Sequence, residues 1–245
     1  EGKIFDMTNL INNLLFEESD KNNFLFNNKK KNFLIDLKKV YLHKDYFVTK
    51  FIGNISFNKS KIERAKLDGK FSNGKVVSFK VFNKNQSKIT TLYSELAEPL
   101  VKKYDFIKGF NGGLLDFHSI ERKSFSVSQL KIYDFKVKKI PALAKILTLA
   151  SLQGIADLLT GEGIRFDELD MKFNSNSDKT EIEELYAIGP AISILMEGYV
   201  QKKPNLISLR GTLVPATTIN KFVASIPLLG NILVGKKTGE GVFGV

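Results

Sequence analysis

Cysteine is absent from the 245 residues. Disulfides, thiolate metal sites and cysteine nucleophiles go with it, and the redox compartment stays undetermined. Histidine occurs only as His43 and His118. They lie far apart on strand-like segments with no nucleophile pattern nearby, so they read as surface strand residues. The only arginines are Arg64, Arg122, Arg165 and Arg210. They are too few and too scattered to read bases or clamp phosphates, which sets nucleic acid aside as a partner. No signal peptide or membrane span stands in the sequence. The ends at Glu1-Gly2 and Phe243-Gly244-Val245 read as cuts through a longer protein, with an anchor expected outside it.

Catalytic motifs are equally scarce. Two segments, 69–75 and 230–236, fit G-x-x-x-x-G-K, but Val76 and Lys237 stand where a magnesium-binding Ser or Thr is needed. Asp167, Glu168 and Asp170 read as a solvated strand start, Asp116 and Glu121 are isolated, and no metal constellation has its spacing. A non-enzymatic protein without cofactor or metal is therefore expected.

The hydrophobic share of 43% and charged share of 26% are those of a folded chain, long enough for one large or two ordinary domains. Charge is uneven: residues 1–140 hold 27 Lys and Arg against 15 Asp and Glu, whereas residues 141–245 hold 10 against 11. The basic half reads as a Lys- and Asn-rich solvated face, with binding to an anionic surface as the sharper alternative.

Most of the chain alternates with period two. Phe33, Ile35 and Leu37 share one face, as do Phe51, Gly53, Ile55 and Phe57, then Ala65, Leu67, Gly69 and Phe71, then Val77, Phe79 and Val81. The residues between them are mostly Lys, Asp, Ser and Asn, the pattern of strands with one dry and one wet face. Leu115–Ile120, Ser126–Val137, Leu169–Phe173, Ile192–Val200 and Ile207–Leu213 continue it. Turns such as Ser72-Asn73-Gly74 make an antiparallel meander the simplest topology. Residues 110–113 read as a further turn, and Ser94–Tyr104 as a short helix.

The exception to this pattern is PALAKILTLASLQGIADLLTGEGIRF, residues 141–166. Pro141 suits a first helical turn and Gly161 a helix end, which predicts a helix over about 141–160. Lys145, Gln153 and Asp157 argue against a membrane span, so the helix is expected to lie against an apolar protein surface. A second apolar segment, 219–235, is broken by Pro227 and Gly230. Four strands also place glycine on the apolar face, at Gly53, Gly69, Gly198 and Gly211. Such glycines mark either curvature or a bulge, or a widened trough that admits a hydrocarbon chain.

Residues 139–173 and 209–245 resemble the C-terminal region of the AsmA-like superfamily, YhdP branch. Pro141, Leu143, Ala144, Ala150, Ser151, Leu152, Gly154, Gly161, Gly163, Ile164 and Phe166 match its first motif. Gly211, Thr212, Val214, Pro215, Asn220, Ile226, Pro227, Gly230, Gly239 and Gly241 match the later ones. The resemblance covers about 90–245; residues 1–90 match only in strand style, and extra lysine and asparagine are the main departure.

The resemblance implies a bridge-like lipid transfer protein in the periplasm of a Gram-negative bacterium, anchored to the inner membrane. It would carry phospholipid toward the outer membrane along a curved, mostly antiparallel sheet whose apolar faces line a groove. The helix near 141–160 would pack at the concave side, and residues 1–245 would form one elongated fragment. The expected lining residues are Leu67, Gly69, Phe71, Leu143, Leu147, Met196, Gly198, Val200, Leu209, Gly211 and Leu213. The rival expectation is a structural or interaction module that docks a partner or a membrane surface.

Overall fold

A computed structural model describes residues 2–6, 30–43, 45–58, 61–104, 107, 109–138, 161, 163–203 and 206–215. The period-two segments become strands: β1 Gly2–Asp6, β2 Lys31–His43, β3 Tyr46–Asn58, β4 Lys61–Phe71, β5 Val76–Lys84 and β6 Ser87–Ser94. After a short helix, α1 Glu98–Tyr104, follow β7 Phe110–Arg122, β8 Phe125–Val137 and β9 Ile164–Ser175. The last three are β10 Lys179–Ile188, β11 Ile192–Gln201 and β12 Leu206–Pro215.

The described strands lie side by side in chain order in a single sheet. Strands β2 to β12 pair antiparallel, whereas β1 runs parallel to β2, with Gly2 opposite Leu37 and Phe5 opposite Val40. The sheet is not closed into a barrel: β1 and β12 are its two edges.

Local chemistry explains the meander. Asn85 and Gln86 both take positive φ, 50° and 60°, the two-residue turn whose twist suits a hairpin. Gly74, at φ 83°, closes the β4–β5 turn, where the Asn73 side chain accepts a hydrogen bond from the Lys75 amide. The first phosphate-loop imitation, 69–75, is therefore the end of β4 and a hairpin, with no helix after it.

Single-residue irregularities keep the apolar side chains on one face where strict alternation breaks. Lys50, at φ 50°, lets Val48 and Phe51 point the same way, and Asp134, at φ 52°, does so for Ile132 and Phe135. The resulting core stacks Phe110, Phe135 and Phe166 face to face, with ring centroids 5.0 and 5.2 Å apart. Ala97 and Val101 pack onto the same cluster, so α1 lies on the apolar face.

Several expectations need correction. Residues 110–113 are not a turn but the start of β7, where Gly112 and Gly113 take φ of 76° and 80°. A Cβ at Gly113 would press on Ile132, Ala97 and Phe135 at 3.1 to 3.2 Å. β9 begins at Ile164, ahead of the expected Leu169–Phe173 alternation, because Ile164 and Phe166 join the aromatic core. β10 was not expected: its sequence KTEIEELYAI hides the alternation behind a bulge between Ile182 and Glu184. Of the short helix expected over Ser94–Tyr104, only Glu98–Tyr104 is helical. The helix expected over 141–160 and the apolar segment 219–235 lie outside the described residues.

Candidate functional site

Strand registers connect the apolar positions into rows that run across the sheet, one residue per strand. The central row reads Ile35, Gly53, Leu67, Phe79, Leu92, Phe117 from β2 to β7. It continues Leu130, Met171, Leu185, Met196, Gly211 from β8 to β12. No polar side chain interrupts it. At about 4.8 Å per strand, ten steps make an apolar track of roughly 48 Å.

A second row lies one step toward the β5–β6 turn. It holds Phe33, Ile55, Ala65 and Val81, then the hydroxyls Thr90, Ser119 and Ser128, then Phe173, Ile182, Gly198 and Leu209. In a third row, Asn83, Lys88, Glu121, Ser126, Ser175 and Thr180 are consecutive polar residues on β5 to β10. Ser128 donates to Ser119 at 2.9 Å, Ser175 and Thr180 share a hydrogen bond of 2.8 Å, and Lys88 pairs with Glu121. From β5 to β10 the face is thus graded, dry beside α1 and polar near the opposite end of the strands, whereas Phe57, Ile62, Val200 and Ile207 keep that end apolar on β3, β4, β11 and β12.

Among the described residues, α1, the chain leading into it and Ile107 beyond it pack on this face. α1 touches both β2 and β7. The carboxylate of Glu98 fixes it, accepting hydrogen bonds from Tyr46 Oη (2.5 Å), Lys102 Nζ (2.5 Å), the Gly112 amide (2.9 Å) and Asn111 Nδ2 (3.3 Å). Burial pushes the Glu98 carboxyl up, but the bonds from Lys102, Tyr46 and Gly112 outweigh it and hold it below its ordinary value. Tyr46 is pushed up by burial and by the Glu98 charge beside it.

Nine of the eleven expected lining residues are described, and register puts all nine on this face. They fall into two separated groups. Leu67, Gly69 and Phe71 are buried on β4, whereas Met196, Gly198, Val200, Leu209, Gly211 and Leu213 are partly open on β11 and β12. Leu143 and Leu147 lie outside the described residues. The residues that join the groups, Phe79, Leu92, Phe117, Leu130, Met171 and Leu185, were not singled out. Except for Leu185 on the bulged β10, their alternation is visible in sequence, but only pairing shows that they form one row.

The four glycines mark close approach between strands more than open space. A Cβ at Gly53, Gly198 or Gly211 would stand 1.9 to 2.1 Å from a carbonyl oxygen of the neighbouring strand, and one at Gly69 would stand 2.3 Å from Val48. Gly53 and Gly198, at φ 147° and 152°, adopt backbone that L side chains rarely take.

The opposite face carries mostly charged and hydroxyl residues. Asp170, expected to be solvated, is buried there: Gln129 Nε2 donates to both its oxygens, at 2.8 and 3.0 Å, and Lys131 lies 3.3 Å away. Phe82, Ile89, Ile120 and Val127 interrupt that face as a cross-strand row. Among the described residues, no helix is long and apolar enough to cross a membrane, and no acidic or histidine group is placed to hold a metal ion. Comparison with protein-family models, with curated proteins and with solved structures gives no match.

Proposed function

We propose that this chain binds and conducts phospholipid without catalysis, its apolar face forming the floor of a groove for acyl chains. The observation that carries this reading is the uninterrupted central row from Ile35 to Gly211, too long and too little covered to serve only as a core among the described residues. Buried acyl chains gain about 0.8 kcal/mol per CH₂, so even part of such a track would hold a lipid.

Curling of the sheet supports the groove. β2 and β7 lie five strands apart, about 24 Å along a flat sheet. One helix, roughly 10 Å across, touches both. Phe117 on β7 and Phe173 on β9 likewise stack at 6.4 Å across the intervening β8. Both contacts fit a sheet that is concave on its apolar side, with α1 resting in the hollow.

In this reading the chain is a segment of an AsmA-like, bridge-like lipid transfer protein of the Gram-negative periplasm. It would be anchored to the inner membrane and carry phospholipid toward the outer membrane. Incubating the purified protein with phospholipid vesicles, separating the two and quantifying retained lipid tests this. Retained lipid is expected, and a protein that emerges free of lipid contradicts the reading. A second reading, an envelope interaction module, draws on the Phe82, Ile89, Ile120 and Val127 row, which gives a partner protein an apolar foothold on the other face.

A further inference from the structure

The meander sends alternate connections to opposite ends of the strands. The β2–β3, β4–β5, β6–β7, β8–β9 and β10–β11 connections share one end with α1. The β3–β4, β5–β6, β7–β8, β9–β10 and β11–β12 turns share the other, together with the start of β2. At this second end, residues 30–31, 61–63, 84–88, 121–125, 175–181 and 201–203 hold ten Lys and Arg against four Asp and Glu. Of the four acids, Glu63, Glu121 and Glu181 each pair with a lysine of the same end. Lys84, Lys123 and Lys203 have no ion-pair partner among the described residues and are exposed; Lys123 and Lys203 stand in turns, whereas Lys84, two positions after Phe82, lies on the opposite face.

This basic end is also where the apolar face turns polar. Moving along the strands from α1, a molecule on that face meets the all-apolar central row, then the hydroxyls of Thr90, Ser119 and Ser128, then the lysine-bearing turns. Each zone suits one part of an amphiphile: hydrocarbon on the dry row, ester oxygens on the hydroxyl belt, a charged group at the turns. Neighbouring turns repeat every two strands, about 10 Å, so the cationic edge runs alongside the apolar track.

Resting on the lipid-groove reading above, we infer that the bound phospholipid lies with its headgroup toward the β5–β6 and β7–β8 turns, and that the lysines there select headgroups of net negative charge. A zwitterionic headgroup offers the same phosphate with its own cation beside it, so it gains less from an edge with unpaired lysines. The site is for a single lipid seated in the groove, and the same charges would also attract an anionic bilayer surface, which the experiment separates.

The test offers the full chain vesicles of equal phosphatidylglycerol and phosphatidylcholine, removes the vesicles, and measures by mass spectrometry the lipid the protein keeps. The expected result is enrichment of phosphatidylglycerol by about fivefold at low salt, falling as ionic strength rises. In Lys123→Glu, at the β7–β8 turn, the ratio should fall toward parity, and an unaltered melting curve would show that this exposed substitution leaves the fold intact. Equal retention of both lipids by the unaltered chain overturns headgroup selection and leaves the groove standing. Flotation with phosphatidylglycerol vesicles but no retained lipid overturns it in favour of a bilayer-surface site. No association with either lipid removes the groove reading and the inference together.

Discussion

Tyr46, the first residue of β3, donates its hydroxyl hydrogen to Glu98 on α1 at 2.5 Å, although 52 positions separate the two in sequence. The same carboxylate accepts from Gly112 on β7. One side chain therefore ties β3 and β7 to the helix. Glu98→Ala leaves the Gly112 amide and the Tyr46 hydroxyl without their acceptor and should cost about 2 to 3 kcal/mol in urea unfolding. A loss below about 0.5 kcal/mol would show that α1 is held by its apolar contacts alone.

That carboxyl also sets a pH dependence. Burial raises it, the Lys102, Tyr46 and Gly112 hydrogen bonds lower it more, and the folded value falls below the ordinary 4.5. A lowered folded value means stability that is complete above the ordinary carboxylate range and is lost as pH falls through the folded value. Unfolding measured from neutral pH down to about pH 3 should show a steeper acid loss for the unaltered chain than for Glu98→Gln. Parallel curves would contradict this assignment.

The stacked rings of Phe110, Phe135 and Phe166 join β7, β8 and β9 at the helix end of the sheet. Phe135 is buried and central, so Phe135→Ala should destabilise by about 3 to 5 kcal/mol. Phe125→Ala, on an exposed position of the same strand, should change stability by no more than about 0.5 kcal/mol. Thermal melts of the two variants check the contrast.

Glycine positions supply a further contrast. Gly74 stands at a turn where an added Cβ meets nothing within 4 Å, so Gly74→Ala should cost only the left-handed strain of about 1 kcal/mol. At Gly198 the same methyl would stand 2.1 Å from the Ser208 carbonyl oxygen, and β12 would have to move. Gly198→Ala should therefore cost clearly more, about 2 to 3 kcal/mol. Equal melting temperatures would count against the close β11–β12 approach.

Much of the sheet was legible because side-chain alternation maps directly onto a half-buried strand. The four runs from Phe33 to Val81 emerge on the expected face, and short turns foretold sequential antiparallel pairing. What stayed hidden arises where the period breaks. Lys50 and Asp134 shift the register of facing, Gly112-Gly113 reads as a turn but is a distorted strand, and the acidic run of β10 conceals Ile182 and Leu185 behind a bulge. The candidate site was visible only in part, since a residue's place on a face follows from alternation but its row across eleven strands follows from pairing. The glycines, which the sequence left between curvature and a widened trough, stand where neighbouring strands come close, and that follows from pairing, not from residue type.

Retention of lipid on the apolar face is the central claim, and native mass spectrometry of the chain after exposure to phospholipid tests it most directly. The unaltered protein should carry phospholipid adducts. The double variant Phe33→Glu/Leu209→Glu, at positions 42% and 40% exposed on β2 and β12, should keep its fold and lose most of them. A stable chain that shows no adduct, or a variant that keeps its adducts in full, would contradict the account.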